Sequence, residues 1–443
     1  MTTSLAIWLL VQETRALLTR LDRVKPLALV EAMVPAAALS PLAQTAIERQ
    51  LAIGKHTVRQ MVYSYLRWLH SDQGERATAA EAQRRFTFLR LRFNMVLAQF
   101  DIFADVLTQR SEHETGVWLA GLDVVAADAL ALPGAYYTPP PLICYLDRGH
   151  GAAIRRARTR LPGGGENPVA IIRVPRERMV GSGIASSLVH EVGHQSSALL
   201  GLVSSLRPLL CGLQRGSDGA SVTWQLWERW ISEILADFWS VARVGVAATL
   251  GLMGVVSLPR AFVFRINLDD PHPMPWIRVK LSCALGNALY PHPQWKTLAA
   301  AWEAYYPLDG LDEKKRNLLA QIESSMPAFV ALLIHHRPRL LRGKSLVEVL
   351  AVAERQPIHL QAYFEQWRRS SLYIRQTPPA LAFAIIGQAR ADGKLGPEAE
   401  SRLVGKLLTE WALRSTLDMS VICATQLSAR HASVTNTIAA QAA

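Results

Sequence analysis

The chain has 443 residues, half of them hydrophobic and 19% charged, with 48 Lys plus Arg against 36 Asp plus Glu and a formal net charge of +12. This length can bury a large core spread over two or three domains, and this composition excludes an intrinsically disordered or collagen-like chain. Excess basic charge suits nucleic acid, an anionic surface or an acidic partner, but the arginines alternate with acids along most of the predicted helices, so the charge alone assigns no nucleic acid partner.

From Thr3 to about Leu132 the apolar pattern is helical, with Pro26, Pro35, Pro41 and the turn-forming Asp72-Gln73-Gly74 as punctuation. Residues 1–133 are therefore expected to form a helical N-terminal domain. Leu5 to Val11 is apolar, but no basic residue precedes it and no small-residue cleavage site follows, so it does not read as a secretory signal and the expected location is cytoplasmic. Arg84 to Phe93 interleaves basic and aromatic residues. Such a stretch can grip a nucleic acid strand, although one amphipathic helix whose arginine stems cover apolar neighbours is the plainer reading.

The texture changes at Pro133-Gly134, and Pro139-Pro140-Pro141 marks a rigid connection into strand-like segments. Leu142 to Arg148 and Val169 to Val174 have the branched, apolar content of strands, with Gly163-Gly164-Gly165 as a turn between them. The arginines at 148, 155, 156, 158 and 160 read as a solvated loop rather than a surface that steers acidic substrate.

Next comes SGIASSLVHEVGHQSSALL, residues 182–200. Ile184, Leu188, Val192 and Leu199 form an apolar stripe at helical spacing, and Ser182 can cap the start. His190 and His194 lie one turn apart on one face, so both can turn a ring nitrogen to one metal ion, a spacing that suits tetrahedral zinc. Glu191 projects about 100° away around the helix, which leaves it free to take a proton from a metal-activated water. Gly193 clears space near the two ligands for a neighbouring strand or for substrate.

Beyond a polar loop at Arg215 to Gly219 lies a second apolar helix, with Trp224, Trp227 and Trp230 as a core stripe that would dry one side of the site. On it Glu233 and Asp237 share a face. A catalytic zinc needs a third protein ligand and an open position, which Glu233 can complete. Asp237 can then accept the other ring N–H of a ligand histidine.

H-E-V-G-H followed by S-E-I-L-A-D resembles the gluzincin metallopeptidases, whose signature is an H-E-x-x-H helix and a later E-x-x-x-D helix. The resemblance covers these two helices. It implies His190, His194 and Glu233 as ligands of one zinc per chain, Glu191 as catalytic base, Asp237 behind a ligand histidine, and a peptide or protein substrate. It also implies a zincin-like core, expected over 134–310, and an extended substrate held on the free edge of the strand before the metal helix, here Val169 to Val174. Similar H-P…R segments follow the third-ligand helix in some metallopeptidases. This implies His272 as donor to the developing carbonyl anion, oriented by Asp270 or Asp269, with Arg278 as support. Pro291-His292-Pro293 repeats the local pattern and competes for that role, whereas His150, His335 and His336 read as ordinary loop or helix residues.

Val244 to Leu258 is uncharged over 15 residues, short of the roughly 20 a membrane span needs. It is expected to be a core helix broken near Gly251 and Gly254, with membrane association as the secondary reading. Residues 311–427 are expected to form a helical C-terminal domain. The turn at Asp392 to Pro397 lacks the upstream acids of a calcium loop, with Gln388 and Arg390 in their place. Residues 428–443 are small and polar and are expected to fray. Cys144, Cys211, Cys283 and Cys423 stand far apart, which argues against a disulfide framework.

The fold expected from these features is mainly α with a small β-sheet, an α+β arrangement in which helical domains flank the zincin-like core. The expected reaction is zinc-assisted peptide hydrolysis. Two alternatives stay open: a scaffolding or binding protein that keeps zinc for structure, and a peptidase effector delivered to another cell. The sequence does not fix an oligomeric state.

Overall fold

The computed structural model describes residues 2–148, 151–176, 181–216, 221–267 and 270–441. The first part of the chain is helical, as its apolar periodicity requires: α1 (Thr2–Arg23), α2 (Leu27–Val30), α3 (Pro41–Leu69), α4 (Asp72–Arg76), α5 (Ala79–Thr108) and α6 (His113–Leu130). Ser40, Ser71 and Thr78 cap α3, α4 and α5 by accepting the amides of Ala43, Gly74 and Glu81. Each such cap is worth about 1 kcal/mol. The Ser71 cap is what turns Asp72-Gln73-Gly74, expected as a plain turn, into the start of α4.

Three strands follow: β1 (Leu142–Asp147), β2 (Ala153–Arg155) and β3 (Ala170–Pro175), in the order β1-β3-β2. β1 and β3 pair in parallel, with Leu142 opposite Ala170, and β2 pairs antiparallel to β3, with Ala153 opposite Arg173. The expected strand before the metal helix is thus present as β3, but it is the middle strand and has no free edge. β1 and β2 are the edge strands: Cys144 and Leu146 of β1 bond the side chains of Arg110, Asp123 and Gln109, while β2 has only three residues, too few to give a periodic signal. Both faces of the sheet are covered, which is why its strands are apolar runs rather than alternating ones. Ile143 and Ile171 face the core of α1, α3 and α5, while Cys144, Leu146, Ile172 and Val174 face the main core. On the α1, α3 and α5 bundle, Phe88 and Leu91 are well exposed. The arginine stems of that stretch therefore leave these apolar neighbours uncovered.

The remainder is helical: α7 (Ser182–Leu199), α8 (Leu202–Gly216), α9 (Ser221–Val244), α10 (Val246–Val256), α11 (Arg260–Val263), α12 (Pro275–Leu289), α13 (Pro293–Tyr305), α14 (Glu313–His335), α15 (Leu346–Val349), α16 (Pro357–Arg369), α17 (Ser371–Gln376), α18 (Pro379–Ala391) and α19 (Pro397–Gln441). At the centre stands α9, which packs against α7, α8, α10, α12, α14 and α18. A helix apolar on nearly every side needs neighbours all round. Residues 134–310 alone do not supply them, so the main core runs from Leu119 of α6 to Trp411 of α19, across both expected boundaries at 133 and 310.

The apolar run after α9 breaks at Gly245, whose φ of 58° starts α10, and not at Gly251 or Gly254. Gly251 has a packing task instead, since a Cβ there would come within 2.3 Å of Ser186 Cβ. Among the described residues, α14 is the one single helix long and apolar enough to cross a membrane by length and composition. Its stripe of Leu319, Ile322, Met326, Phe329, Val330 and Leu333 is built into the main core. α19 is helical to Gln441, through the residues expected to form the tail from 428. No glycine or proline follows Gly405, so nothing in the backbone stops the helix.

A buried ion pair ties α6 to the sheet. Arg110, fully buried, holds Asp123 through Nη1 at 2.9 Å and Nη2 at 3.1 Å and donates to the Cys144 carbonyl at 2.7 Å. Asp123 also accepts the Cys144 amide at 2.7 Å. Burial pushes the Asp123 carboxyl up and Arg110 pulls it back, leaving it above its ordinary value. Substituting Arg110→Met strands that carboxylate, and chemical denaturation should then show a loss of about 3–5 kcal/mol.

Candidate metal centre

Helix α7 buries Ile184, Ala185, Leu188, Val189 and Val192 and turns His190 and His194 toward Glu233. Its N-cap is Gly181, with φ 71°, so the helix starts on a glycine conformation and not on the expected Ser182 cap. Gly193 serves helix contact rather than access of a strand or substrate. A Cβ there would lie 2.7 Å from Ala236 Cα and 3.0 Å from Trp239 Cβ, so α9 lies directly on the glycine. That close approach brings Glu233 to the histidines.

The contacts have a common size. Glu233 Oε2 is 3.3 Å from His190 Nε2, and Glu233 Oε1 is 3.4 Å from His194 Nε2. Direct charge-assisted hydrogen bonds between such groups are about 2.7–2.9 Å, whereas tetrahedral bonds of about 2.1 Å to one ion set its ligand atoms roughly 3.4 Å apart. The three ligand atoms all lie within 4.8 Å of one another. Glu233 Oε2 is buried and has no aligned hydrogen-bond donor. A buried carboxylate oxygen left without a donor is costly unless something else pairs with it, and a divalent cation held by two imidazoles and this carboxylate fits the vacancy in its bonding. The donor set of two nitrogens and one oxygen suits zinc.

Behind the ligands, Asp237 Oδ1 is 2.8 Å from His190 Nδ1, which leaves Nε2 as the ligand nitrogen. Arg278 donates to the same carboxylate, through Nε to Oδ2 at 2.7 Å and Nη2 to Oδ1 at 2.9 Å. Arg278 Nη2 is also 3.7 Å from Glu233 Oε2. Burial works against a charged His190, but the Asp237 carboxylate outweighs it and lifts the imidazole to about 9. Burial works against both acids too. Arg278 and His190 nevertheless hold Asp237 down to about 2, and the two histidines hold Glu233 far below the carboxylate range. Glu191, buried beside them, is pushed up by burial against the pull of His190 and His194.

His272 comes in from the loop before α12. Its Nε2 is 3.4 Å from Glu233 Oε2, and its Nδ1 is 2.8 Å from Asp270 Oδ1, which also accepts the His272 amide at 3.0 Å. Its side chain is 53% exposed against 10% for Glu233, so it stands on the solvent side of the centre. Asp269 and His150 lie outside the described residues. His292 does not converge on the site, because it caps α13 by accepting the Gln294 amide. His336 bonds Ser205 instead. Trp230 lines the space next to His272, while Trp227 stacks on Phe329 at 4.4 Å.

A cavity opens beside His190 and Glu191 and is bordered by Gly151 and Ala152 ahead of β2, by Ser187, and by residues of α9, α10 and α12. Apart from Asp237 and Arg278, the bordering residues Gly151, Ala152, Ser187, Ser240, Val241, Ala248, Leu252, Val255 and Ser282 belong to no motif in the sequence. Ser187 was legible there all the same, since it lies four residues before Glu191 and so shares its face.

Elemental analysis should find one divalent ion per chain, lost in His190→Ala and in Glu233→Ala. Asp237→Ala should keep the ligands and lower metal affinity about 10- to 100-fold in a chelator competition. A proton on His190 has to leave before Nε2 can bind an ion. The same titration should therefore show affinity rising with pH up to about 9, by at most roughly tenfold per unit, and level above it. No family model matches this chain, and no curated protein or solved structure matches it either.

Proposed function

We propose that the chain is a zinc-dependent peptidase of the gluzincin type, with a zincin-like core that the α6 and α14 to α19 helices complete. The observation that carries the reading is the cluster of His190, His194 and Glu233, at spacings that suit one ion, with Glu191 next to His190 at the cavity that both line.

When bound, a zinc ion would polarise the carbonyl of the substrate and acidify a water. His190, His194 and Glu233 would hold it, and Asp237 fixes the tautomer of His190. The Glu191 carboxylate accepts a proton from the water as its oxygen bonds to the carbonyl carbon. Burial raises its pKa, which makes it a stronger base and a good carrier of that proton to the leaving amine as the C–N bond breaks. His272, oriented by Asp270, is positioned to donate to the carbonyl oxygen as negative charge develops there. Arg278 supplies one positive charge between Asp237 and Glu233, which together with the neighbouring histidines lets the two acids stay ionised side by side.

The substrate backbone belongs on the β2 side. β2 is the edge strand on this side of the sheet, it packs against α7, and Gly151 and Ala152 just before it border the cavity. An edge strand offers unpaired amides and carbonyls to an extended peptide.

Glu191→Gln tests the mechanism. The variant should bind one ion as the wild type does and lose peptide cleavage by about 10²-fold or more. Cleavage that survives with metal bound would rule out Glu191 as the base. His272→Ala should lower kcat about 10²- to 10³-fold with little change in metal content.

A further inference from the structure

On the sheet face turned away from α7, α5 packs over Ile143 and Ile171. Two residues further along each strand, at Tyr145 and Arg173, helix and sheet part and leave a cavity of about 640 Å³. Ile102 and Val106 of α5 and Ile171 of β3 give it apolar surface. Its charges stand on different walls, with Asp105 on α5, Arg155 and Arg173 on β2 and β3, and Asp147 at the end of β1. Asp147 only partly answers Arg173, since its Oδ2 is 3.5 Å from Nη1, beyond the roughly 2.7–2.9 Å of a direct charge-assisted bond. Arg173 Nε is buried and has no hydrogen-bond partner. The side chains of Asp105 and Arg155, both exposed, enter no ion pair or hydrogen bond among the described residues. Tyr145 stands amid the four charges: burial and then Asp147 push its phenol above the ordinary value, Arg173 and Arg155 pull it back, and Asp105 adds a smaller push. Gln109 is already spent, because its side chain donates to the Leu146 carbonyl at 2.6 Å and accepts the Leu146 amide at 2.8 Å. A ligand of one sign would meet its own sign on one wall, whereas a ligand with both charges complements both walls. The space is several times the roughly 150 Å³ that holds a benzene molecule, so such a ligand can carry apolar side chains between its charged ends.

We infer that this groove is a second binding site, for a zwitterion with a free α-ammonium, a free α-carboxylate and apolar side chains: a single amino acid or a short unblocked peptide. Arg155 and Arg173 meet the carboxylate, Asp105 meets the ammonium, and Ile102, Val106 and Ile171 meet the apolar part. The site lies on the opposite face of the sheet from α7 and does not depend on the peptidase reading. β2 nonetheless belongs to both places, because Arg155 lines this groove while Gly151 and Ala152, just before the strand, border the cavity beside Glu191.

Titration calorimetry with leucine, dileucine and trileucine tests it, each compared with its N-acetyl amide, in wild type and in His190→Ala, whose disabled metal centre leaves only the groove to read. At least one of the three should bind both proteins alike, and the length that binds tightest tells an amino acid from a peptide. Blocking both ends should weaken binding by about tenfold or more. Arg155→Gln and Asp105→Asn should each weaken it about three- to tenfold. Both positions are exposed, so the variants should fold as the wild type does. Blocked ligands that bind as tightly as free ones, an affinity unchanged in both variants, no binding by any of the three, or binding abolished by His190→Ala overturns the inference. Failure of the peptidase reading is distinguishable, because it shows as absent cleavage in wild type and leaves these affinities as they are.

Discussion

Two carboxylates in the middle of an apolar helix organise this molecule. Glu233 and Asp237 sit on α9 among Trp230, Ile231, Ile234, Leu235, Phe238 and Trp239, all buried. A charge in such surroundings costs several kcal/mol unless it is met by opposite charge and hydrogen bonds. Everything close to α9 on that face answers the requirement: His190 and His194 from α7, Arg278 from α12, and His272 from the preceding loop. Arg278 returns one positive charge to the pair, and His190 and His194 lie against Glu233 on its other side. The arrangement is expensive to fold around, which gives it a functional rather than a stabilising rationale.

The helices around α9 follow from the same constraint. Its other sides are apolar and need cover, and α14 and α18 supply it from outside the segment that carries the motifs, with Trp239 also bonding the Ala129 carbonyl of α6. Glycines make the closest contacts: Gly193 under Ala236, and Gly251 against Ser186. The first brings the ligand helices together. The second sets α10 directly on α7. Packing and chemistry are thus set by the same few small residues.

Much of the site was legible in the sequence because its signals are local. His190 and His194 at i, i+4, and Glu233 and Asp237 at i, i+4, each declare a shared face on a helix whose apolar stripe is plain. Asp270, His272 and Arg278 were legible as a stiff polar stretch next to a helix start. The mainly helical fold with a small sheet was legible from periodicity. What was hidden depends on distant partners. The position of β3 in the middle of the sheet follows from β2, too short to signal itself, and from its pairing on both sides. The single core across residues 133 and 310 follows from how much cover α9 needs, which no local window contains. Gly193 and Gly251 looked like space for substrate and a helix break, and both proved to be close helix contacts whose other half lies tens of residues away. The start of α7 at Gly181 depends on a positive φ that serine capping statistics do not foresee.

The central claim is that His190, His194 and Glu233 hold one ion between them. X-ray absorption at the edge of the bound metal in the purified protein tests it most directly. The spectrum should show a sulfur-free shell with two imidazole nitrogens at about 2.0–2.1 Å and a carboxylate oxygen at about 2.0–2.2 Å, with one imidazole fewer in any metal retained by His194→Ala. A protein that takes up no metal when supplied with it, a shell containing thiolate, or an imidazole count unchanged by His194→Ala would contradict it.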